Sequence, residues 1–352
     1  MKLKIKDIAK KANVSISAVS LALNNKPGIS QDTREKILKI VQEEGYVHKS
    51  FTQDHAPVQG NNKVIHFVAC TNQGIVIEHY EQLPFFTKLI NHISEYLFSK
   101  GYSLMLTSIN LDKLYDEAKM KISAENGCNG ILLLGTDLTP HQISFIAQHQ
   151  PNLVVLDTCF ETLNVDFVNM NSLLGAYQAA NYLVRLGHRR IGYVQSNFRI
   201  RNFDLRKEGF LQALKEHGLS VLEQDYFSML PTVISSSQED FKKEIAKRLN
   251  DLPTALFCES DYIAISLIKS LTELNIRIPD DISVIGFDNI HEASIISPEL
   301  TTVHVYADKM ASLAVDRILE MLENNREGRK MKYIVDTEIY ERNSCKALKT
   351  SD

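Results

Sequence analysis

From Lys63 onward the chain alternates apolar runs of strand length with amphipathic stretches of helical spacing. That alternation constrains the fold more than any other feature. The runs are Val64–Ala69, Ser103–Leu106, Gly130–Leu134, Leu153–Leu156, Ile191–Val194, Ala255–Phe257 and Ile282–Ile285. Between them lie Leu83–Ser99, Ser172–Gly187, Phe203–Gly218 and Tyr262–Asn275, which read as helices. Strands that are apolar throughout are buried on both faces, and strands alternating with helices form parallel sheets. Seven such runs exceed one doubly wound sheet comfortably, so the expectation is an α/β body of two Rossmann-like lobes. The sequence shows no internal repeat and no low-complexity tract.

The first 46 residues read as a separate, all-α unit of three short helices. Ile5, Ile8, Ala9 and Ala12 fall at helical spacing, and Asn13 interrupts them. Asn suits a tight turn because it tolerates left-handed dihedrals. A second helix opens at Val14 and Ser15 and turns Val19 and Leu23 inward. After the Asn24–Gly28 loop, Ser30 can cap a third helix with Ile37, Ile40 and Val41 inside. Two short helices about a tight turn form the helix-turn-helix pattern. Residues 47–62 lose periodicity and hold Pro57 and Gly60, which marks a linker. The predicted organisation is 1–46 helix-turn-helix, 47–62 linker and 63–347 two-lobed sensor.

Charge sharpens this division. The chain carries 39 Lys/Arg against 43 Asp/Glu, a net −4 that argues against a nucleic-acid partner. Residues 1–49, however, hold ten basic and five acidic groups, net +5, leaving 29 basic and 38 acidic groups, net −9, for the rest. A basic head on an acidic body points to nucleic acid at one end only. The second helix exposes Ser15, Ile16, Ser17, Ala18, Ser20 and Leu21 rather than Lys and Glu. Small hydroxyl and methyl groups let a helix approach base edges closely in the major groove.

Other classes are disfavoured. The cysteines Cys70, Cys128, Cys159, Cys258 and Cys345 are odd in number and form no CxxC, which suits a reducing compartment. No stretch has the length of a signal peptide's apolar core or a membrane span. A cytoplasmic protein with no membrane partner is expected. No nucleophile elbow, phosphate loop, dinucleotide fingerprint or zinc-protease motif occurs, and the eleven His lack metal-ligand spacing. The reading is therefore not an enzyme, with no catalytic residues, no metal and no cofactor.

The residues also carry a resemblance. Ile5–Asn24 (IKDIAKKANVSISAVSLALN) followed by Ile29–Tyr46 (ISQDTREKILKIVQEEGY) is similar to the head of the LacI/GalR family of bacterial transcriptional regulators. So are Leu186–Tyr193 (LGHRRIGY), Arg206–Phe210 (RKEGF), Ile278–Asp288 (IPDDISVIGFD) and Pro298–Val303 (PELTTV), in family order. The resemblance covers roughly residues 3–345 and implies a body like the type I periplasmic sugar-binding proteins, with a ligand held between two lobes.

It further implies that Ile16, Ser17 and Leu21 read bases, with Ala18 on the same face. Lys6, Ser15, Ser20, Asn24, Thr33 and Tyr46 would position the phosphate backbone. Leu21 departs from the Arg or polar residue common there, so a bidentate guanine contact worth about 1–3 kcal/mol is lost. Lys4 replaces a capping Thr, with Asp7 offering partial compensation through the helix dipole. His48 and Lys49 stand where the family has a Pro-Asn hinge start, and His55 lies near the expected Leu wedge. For the effector, the resemblance implies Phe86, Asn202, Arg206, Ser260, Asp261 and Asp288. Phe86 also lies on an apolar stripe with Ile90, Ile93 and Leu97.

The expected function is a repressor: a homodimer on double-stranded operator DNA, controlled by a small molecule of the sugar type. The alternatives are control by a partner protein, a nucleobase-type co-repressor, or a free sugar receptor.

Overall fold

The computed structural model describes residues 63–123, 128–232, 238–323 and 329–348. Of the first 62 it describes Ala9, Lys11, Ala12, Val14, Ser15, Ala18, Val19, Ala22, Ser30, Thr33, Lys36, Ile37 and Ile40. The chain divides into two compact units, residues 1–62 and 63–352.

In the first unit Ala9, Ala12, Val19, Ala22 and Ile37 form a small buried core. Val14, Ala18 and Ile40 pack on it half-buried, so Ala18 is less exposed than its sequence position suggested. Two hydroxyls act as helix caps. Ser15 Oγ accepts from the Ala18 N–H at 3.1 Å, and Ser30 Oγ from the Thr33 N–H at 3.3 Å. Each satisfies an amide that the first helical turn would otherwise leave unpaired.

The second unit contains two six-stranded sheets. The first lobe holds β1 (Val64–Thr71), β2 (Ser103–Asn110), β3 (Ile131–Leu134), β4 (Leu153–Leu156) and β5 (Asp166–Met170). The second holds β6 (Ile191–Ser196), β7 (Tyr226–Met229), β8 (Ala255–Cys258), β9 (Ser283–Asp288) and β10 (Thr301–His304). Then β11 (Lys332–Val335) returns to the first sheet and β12 (Glu338–Tyr340) to the second. The sheet orders are β11-β5-β4-β3-β1-β2 and β12-β10-β9-β8-β6-β7. The two lobes therefore repeat one architecture although the sequence shows no repeat. All pairings are parallel except β10 with β12.

All seven apolar runs are strands. The five strands without such a run are β5, β7, β10, β11 and β12. The last two are short edge strands, and β5 buries the polar Asp166 and Asn169. Arg317 and Lys330 reach Asp166 at 2.8 and 3.0 Å, which supplies the pairing a buried carboxylate requires.

The helices are α1 (Pro84–Ser99), α2 (Leu114–Ile122), α3 (Pro140–His149), α4 (Ser172–Arg185), α5 (Arg201–Glu216), α6 (Glu239–Ala246), α7 (Asp261–Glu273) and α8 (Ala307–Glu323). The late helix α8 packs on α1 and the first sheet, so the chain crosses between lobes three times. The crossings lie between β5 and α4, β10 and α8, and β11 and β12. Helices α4 and α5 pack closely because Gly209 leaves room for the Leu173 backbone, where any Cβ would collide with it. Among the described residues no helix is long and apolar enough to cross a membrane.

Candidate effector site

The duplicated topology places corresponding strand ends opposite one another. Thr136 lies two residues past β3, and Ser260 two past β8. Asp157 follows β4, and Asp288 ends the corresponding strand β9. Ligands of open α/β sheets bind outside the carboxyl ends of strands, and these four positions line one cavity between the lobes.

The cavity measures about 50 Å³. Phe85 and Phe86 from the start of α1, with Ile75, Leu83 and Met170, form its first-lobe wall. Ile200, Phe203 and Tyr262 face them, and Asn202, Arg206, Pro231 and Thr232 complete the second-lobe wall. Aromatic walls with a few polar groups suit a small-molecule site.

Both aspartates have backbone angles that L-residues rarely adopt, φ 62° at Asp157 and φ 116° at Asp288. Each such residue costs on the order of 1–3 kcal/mol, and strain of this kind clusters at functional sites. Arg206 Nη2 lies 3.1 Å from Asp288 Oδ1, both residues buried. The Arg206 guanidinium stacks 3.7 Å above the Phe287 ring centre. Its Nη1 donates to the Glu259 carbonyl, while its buried Nε has no partner. Such an orphaned donor is unusual in a folded protein, and it lies on a cavity-lining side chain.

Asp157 is held by neutral groups. Its carboxylate accepts from the Thr136 hydroxyl at 2.5 Å and from Asn202 Nδ2 at 3.1 Å. Burial pushes its pKa up to about 7, opposed by the Thr136 hydrogen bond and Arg206 and reinforced by Asp288. Burial likewise pushes Asp288 up to about 6, opposed by Arg206. The cavity thus pairs one guanidinium with two carboxyl groups, and its charge is neutral to negative.

Behind it, the buried Glu259 carboxylate accepts from Tyr193 Oη at 2.7 Å, the Ser196 N–H at 2.6 Å and Arg199 at 2.7 and 2.8 Å. This network fixes the Glu259 backbone, which in turn fixes Arg206.

Of the residues expected from sequence, Phe86, Asn202, Arg206, Ser260 and Asp288 line the cavity. Phe86 serves wall and core together, since Ile90, Ile93 and Leu97 on its stripe are also buried. Ser260 uses its hydroxyl to cap α7, accepting from the Ile263 N–H at 3.4 Å. Asp261 is a correction. It does not line the cavity, because its carboxylate is taken by the Thr302 hydroxyl at 2.6 Å and the Ile290 N–H at 3.0 Å. Thr136, Asp157, Phe203 and Tyr262 were missed. Asp157 was within reach, since it follows an apolar strand as Asp288 does.

In the head, Ser15 is exposed, Thr33 is half-buried and bonded to Ser30 at 2.7 Å, and Ala18 packs on the core. Lys6, Ile16, Ser17, Ser20, Leu21, Asn24 and Tyr46 lie outside the described residues, as do Lys4, Asp7, His48, Lys49 and His55. Among the described residues no cluster of three or more His, Cys, Asp or Glu could hold a metal ion.

Comparison with known proteins adds the decisive observation. Residues 4–48 match the model for bacterial regulatory proteins, lacI family, and residues 180–345 that for a periplasmic binding protein-like domain. The HTH-type transcriptional repressor PurR of Photorhabdus laumondii is 30% identical over 335 residues, spanning 92% of this chain and 91% of that protein. The chain belongs to the lacI family of bacterial regulatory proteins. The PurR repressor of Pasteurella multocida is 29% identical, covering 92% of this chain and 93% of its own length. In fold this LacI-family chain is similar to a lac repressor dimer bound to operator and an anti-inducer, with TM-score 0.68, 20% identity and coverage of 99% and 100%. It is also similar to a CelR–cellobiose complex, with TM-score 0.68, 20% identity and coverage of 97% and 99%. This LacI-family protein is a DNA-binding repressor with an effector-binding domain, not an enzyme.

Proposed function

We propose that the effector is an uncharged, hydroxyl-rich small molecule, a sugar or sugar derivative, seated between Arg206, Asp288 and Asp157. The observation that carries this reading is the cavity's polar set: the Arg206 guanidinium, whose Nε has no partner, together with the Asp157 and Asp288 carboxyl groups, between aromatic walls. Hydroxyls serve as donor and acceptor at once, so one polyol can satisfy both kinds of group. A phosphorylated or carboxylated ligand would bring a second negative charge against Asp157 and Asp288 with Arg206 already paired. On the scale of this cavity one water needs about 10–15 Å³. A sugar therefore enters only when the lobes part.

The repressor acts as a homodimer, two heads meeting a pseudo-palindromic operator. Phe98 on α1, with Met105 and Leu106 on edge strand β2, supports an interface there, since all three are exposed apolar side chains. Ile16, Ser17 and Leu21 read bases, Ala18 lies beside them, and Lys6, Ser15, Ser20, Asn24, Thr33 and Tyr46 hold phosphates. Effector binding changes lobe closure and with it operator affinity, by about 1–3 kcal/mol or 5–150-fold.

A thermal-shift panel of free sugars, sugar phosphates and nucleobases tests the ligand class, because a ligand that binds only the folded state raises its melting temperature. Free sugars should raise it and sugar phosphates should not. A panel in which only nucleobases or phosphates act would overturn the reading.

A further inference from the structure

The resemblance placed Asn202 among effector contacts, but its amide is committed elsewhere. Asn202 stands in the first turn of α5, in the second lobe, with its side chain turned into the first lobe. Its Nδ2 donates to the Asp157 carbonyl at 2.9 Å and to Asp157 Oδ1 at 3.1 Å. Its Oδ1 accepts from Asn169 Nδ2 at 2.9 Å. The residue is 1% exposed. Both bonds from its Nδ2 go to Asp157, so a ligand that takes up this amide does so at the expense of Asp157.

We infer that Asn202 is the latch between the lobes, a positioning residue that sets the balance between closed and open cleft through Asp157. The inference rests on the cleft reading only in naming which lobes part. Other side chains cross the gap with fewer bonds: Tyr262 Oη accepts from the Phe85 N–H at 2.9 Å, and Arg206 Nη2 meets Met170 Sδ at 3.2 Å. Opening the cleft breaks all three Asn202 bonds at once and leaves their buried partners without a match. Asp157 is shared between latch and effector seat. An effector hydroxyl that donates to Asp157 therefore competes with Asn202, and occupancy of the site is coupled to closure by one carboxylate.

The chain contains no Trp, so one introduced Trp reports alone. Phe198 is suited to this. It lies at the rim against Gly74, where an added Cβ would come within 2.7 Å of Phe198 Cε1, and it does not line the cavity. In full-length F198W, emission wavelength and acrylamide quenching are read at mildly alkaline pH without any effector. N202D sets two carboxylates face to face and should shift emission to the red and raise quenching. N202A removes the bonds without adding charge and should do the same to a smaller extent.

The exchange D157N/N202D should bring emission part of the way back to the parent's, because the backbone carbonyl of residue 157 still loses its Asn202 donor. The amide introduced at position 157 then donates to the carboxylate introduced at position 202, and an Asn side chain tolerates the left-handed backbone of the former. Far-UV circular dichroism establishes folding, and if N202D does not fold, N202A carries the test by the same readout. Emission in the single variants equal to the parent's overturns the latch. So does an exchange variant as open as N202D, since that result would mean only lost packing. Because no effector is used, failure here is separate from failure of the sugar assignment.

Discussion

The two lobes are built on one plan but contribute unequally to the cleft. At corresponding strand ends each offers a small hydroxyl residue, Thr136 and Ser260, and an aspartate in a rare backbone conformation, Asp157 and Asp288. Beyond that they diverge. The second lobe adds Arg206 and Asn202 from α5, while the described first-lobe groups facing the cavity bring no positive charge. Asp288 is therefore a member of a buried ion pair, and Asp157 is held by neutral donors. One duplicated frame thus yields a charged seat in one lobe and a neutral, hydrogen-bonded one in the other, bridged by the Asn202 amide.

The largest expected effect is at Arg206. Arg206→Ala leaves Asp288 buried and unpaired, which costs about 3–5 kcal/mol, whereas Asp157→Ala removes only neutral hydrogen bonds and costs about 1–3 kcal/mol. Urea unfolding of the two variants measures both, and equal losses would break the contrast between the lobes. The pair R206M/D288N should recover most of the loss, because no lone buried charge remains.

Next in size is a pH effect. Burial raises Asp157 to about 7, Asp288 to about 6 and Asp261 to about 8, from an ordinary value of 3.8. Below 3.8 the folded and unfolded chains hold these protons equally. Above it the unfolded chain releases them first, so stability is lost as pH rises through the three folded values. Melting temperature should fall from about pH 4 to about pH 8, and D157N should remove the share of that fall that runs up to about pH 7. A flat profile contradicts the burial of these acids.

The smallest contrast is between the hydroxyls. Ser260→Ala removes the cap of α7 and should cost about 1 kcal/mol. Thr136→Val should instead be felt by Asp157, raising its pKa further, which a shift of the D157N-sensitive part of the pH profile detects.

Much of this was legible in the sequence. Six strands were visible as apolar runs because burial leaves few polar positions to break them, whereas the seventh, β2, is an edge strand whose apolar Met105 and Leu106 are exposed. Ser30 was visible as a cap, and Arg206 and Asp288 through the motifs around them. The duplication was not visible, since it lies in the order of strands and not in residue identity. Strand β5 was hidden because Asp166 and Asn169 are buried with partners 151 and 33 residues away. Asp261 was misplaced for a related reason. An acid at a helix start beside the cleft looks the same in sequence whether it faces ligand or pins Thr302 and Ile290.

The central claim is that occupancy of the cleft controls the grip on DNA. Its most direct test is the affinity of the full chain for a DNA fragment from its own upstream region, at fixed salt, with and without the sugar that stabilises it most. Wild type should change affinity by about 5–150-fold on adding the sugar. R206M/D288N should bind the DNA as wild type does and show no change. A variant that keeps the full response would contradict the account.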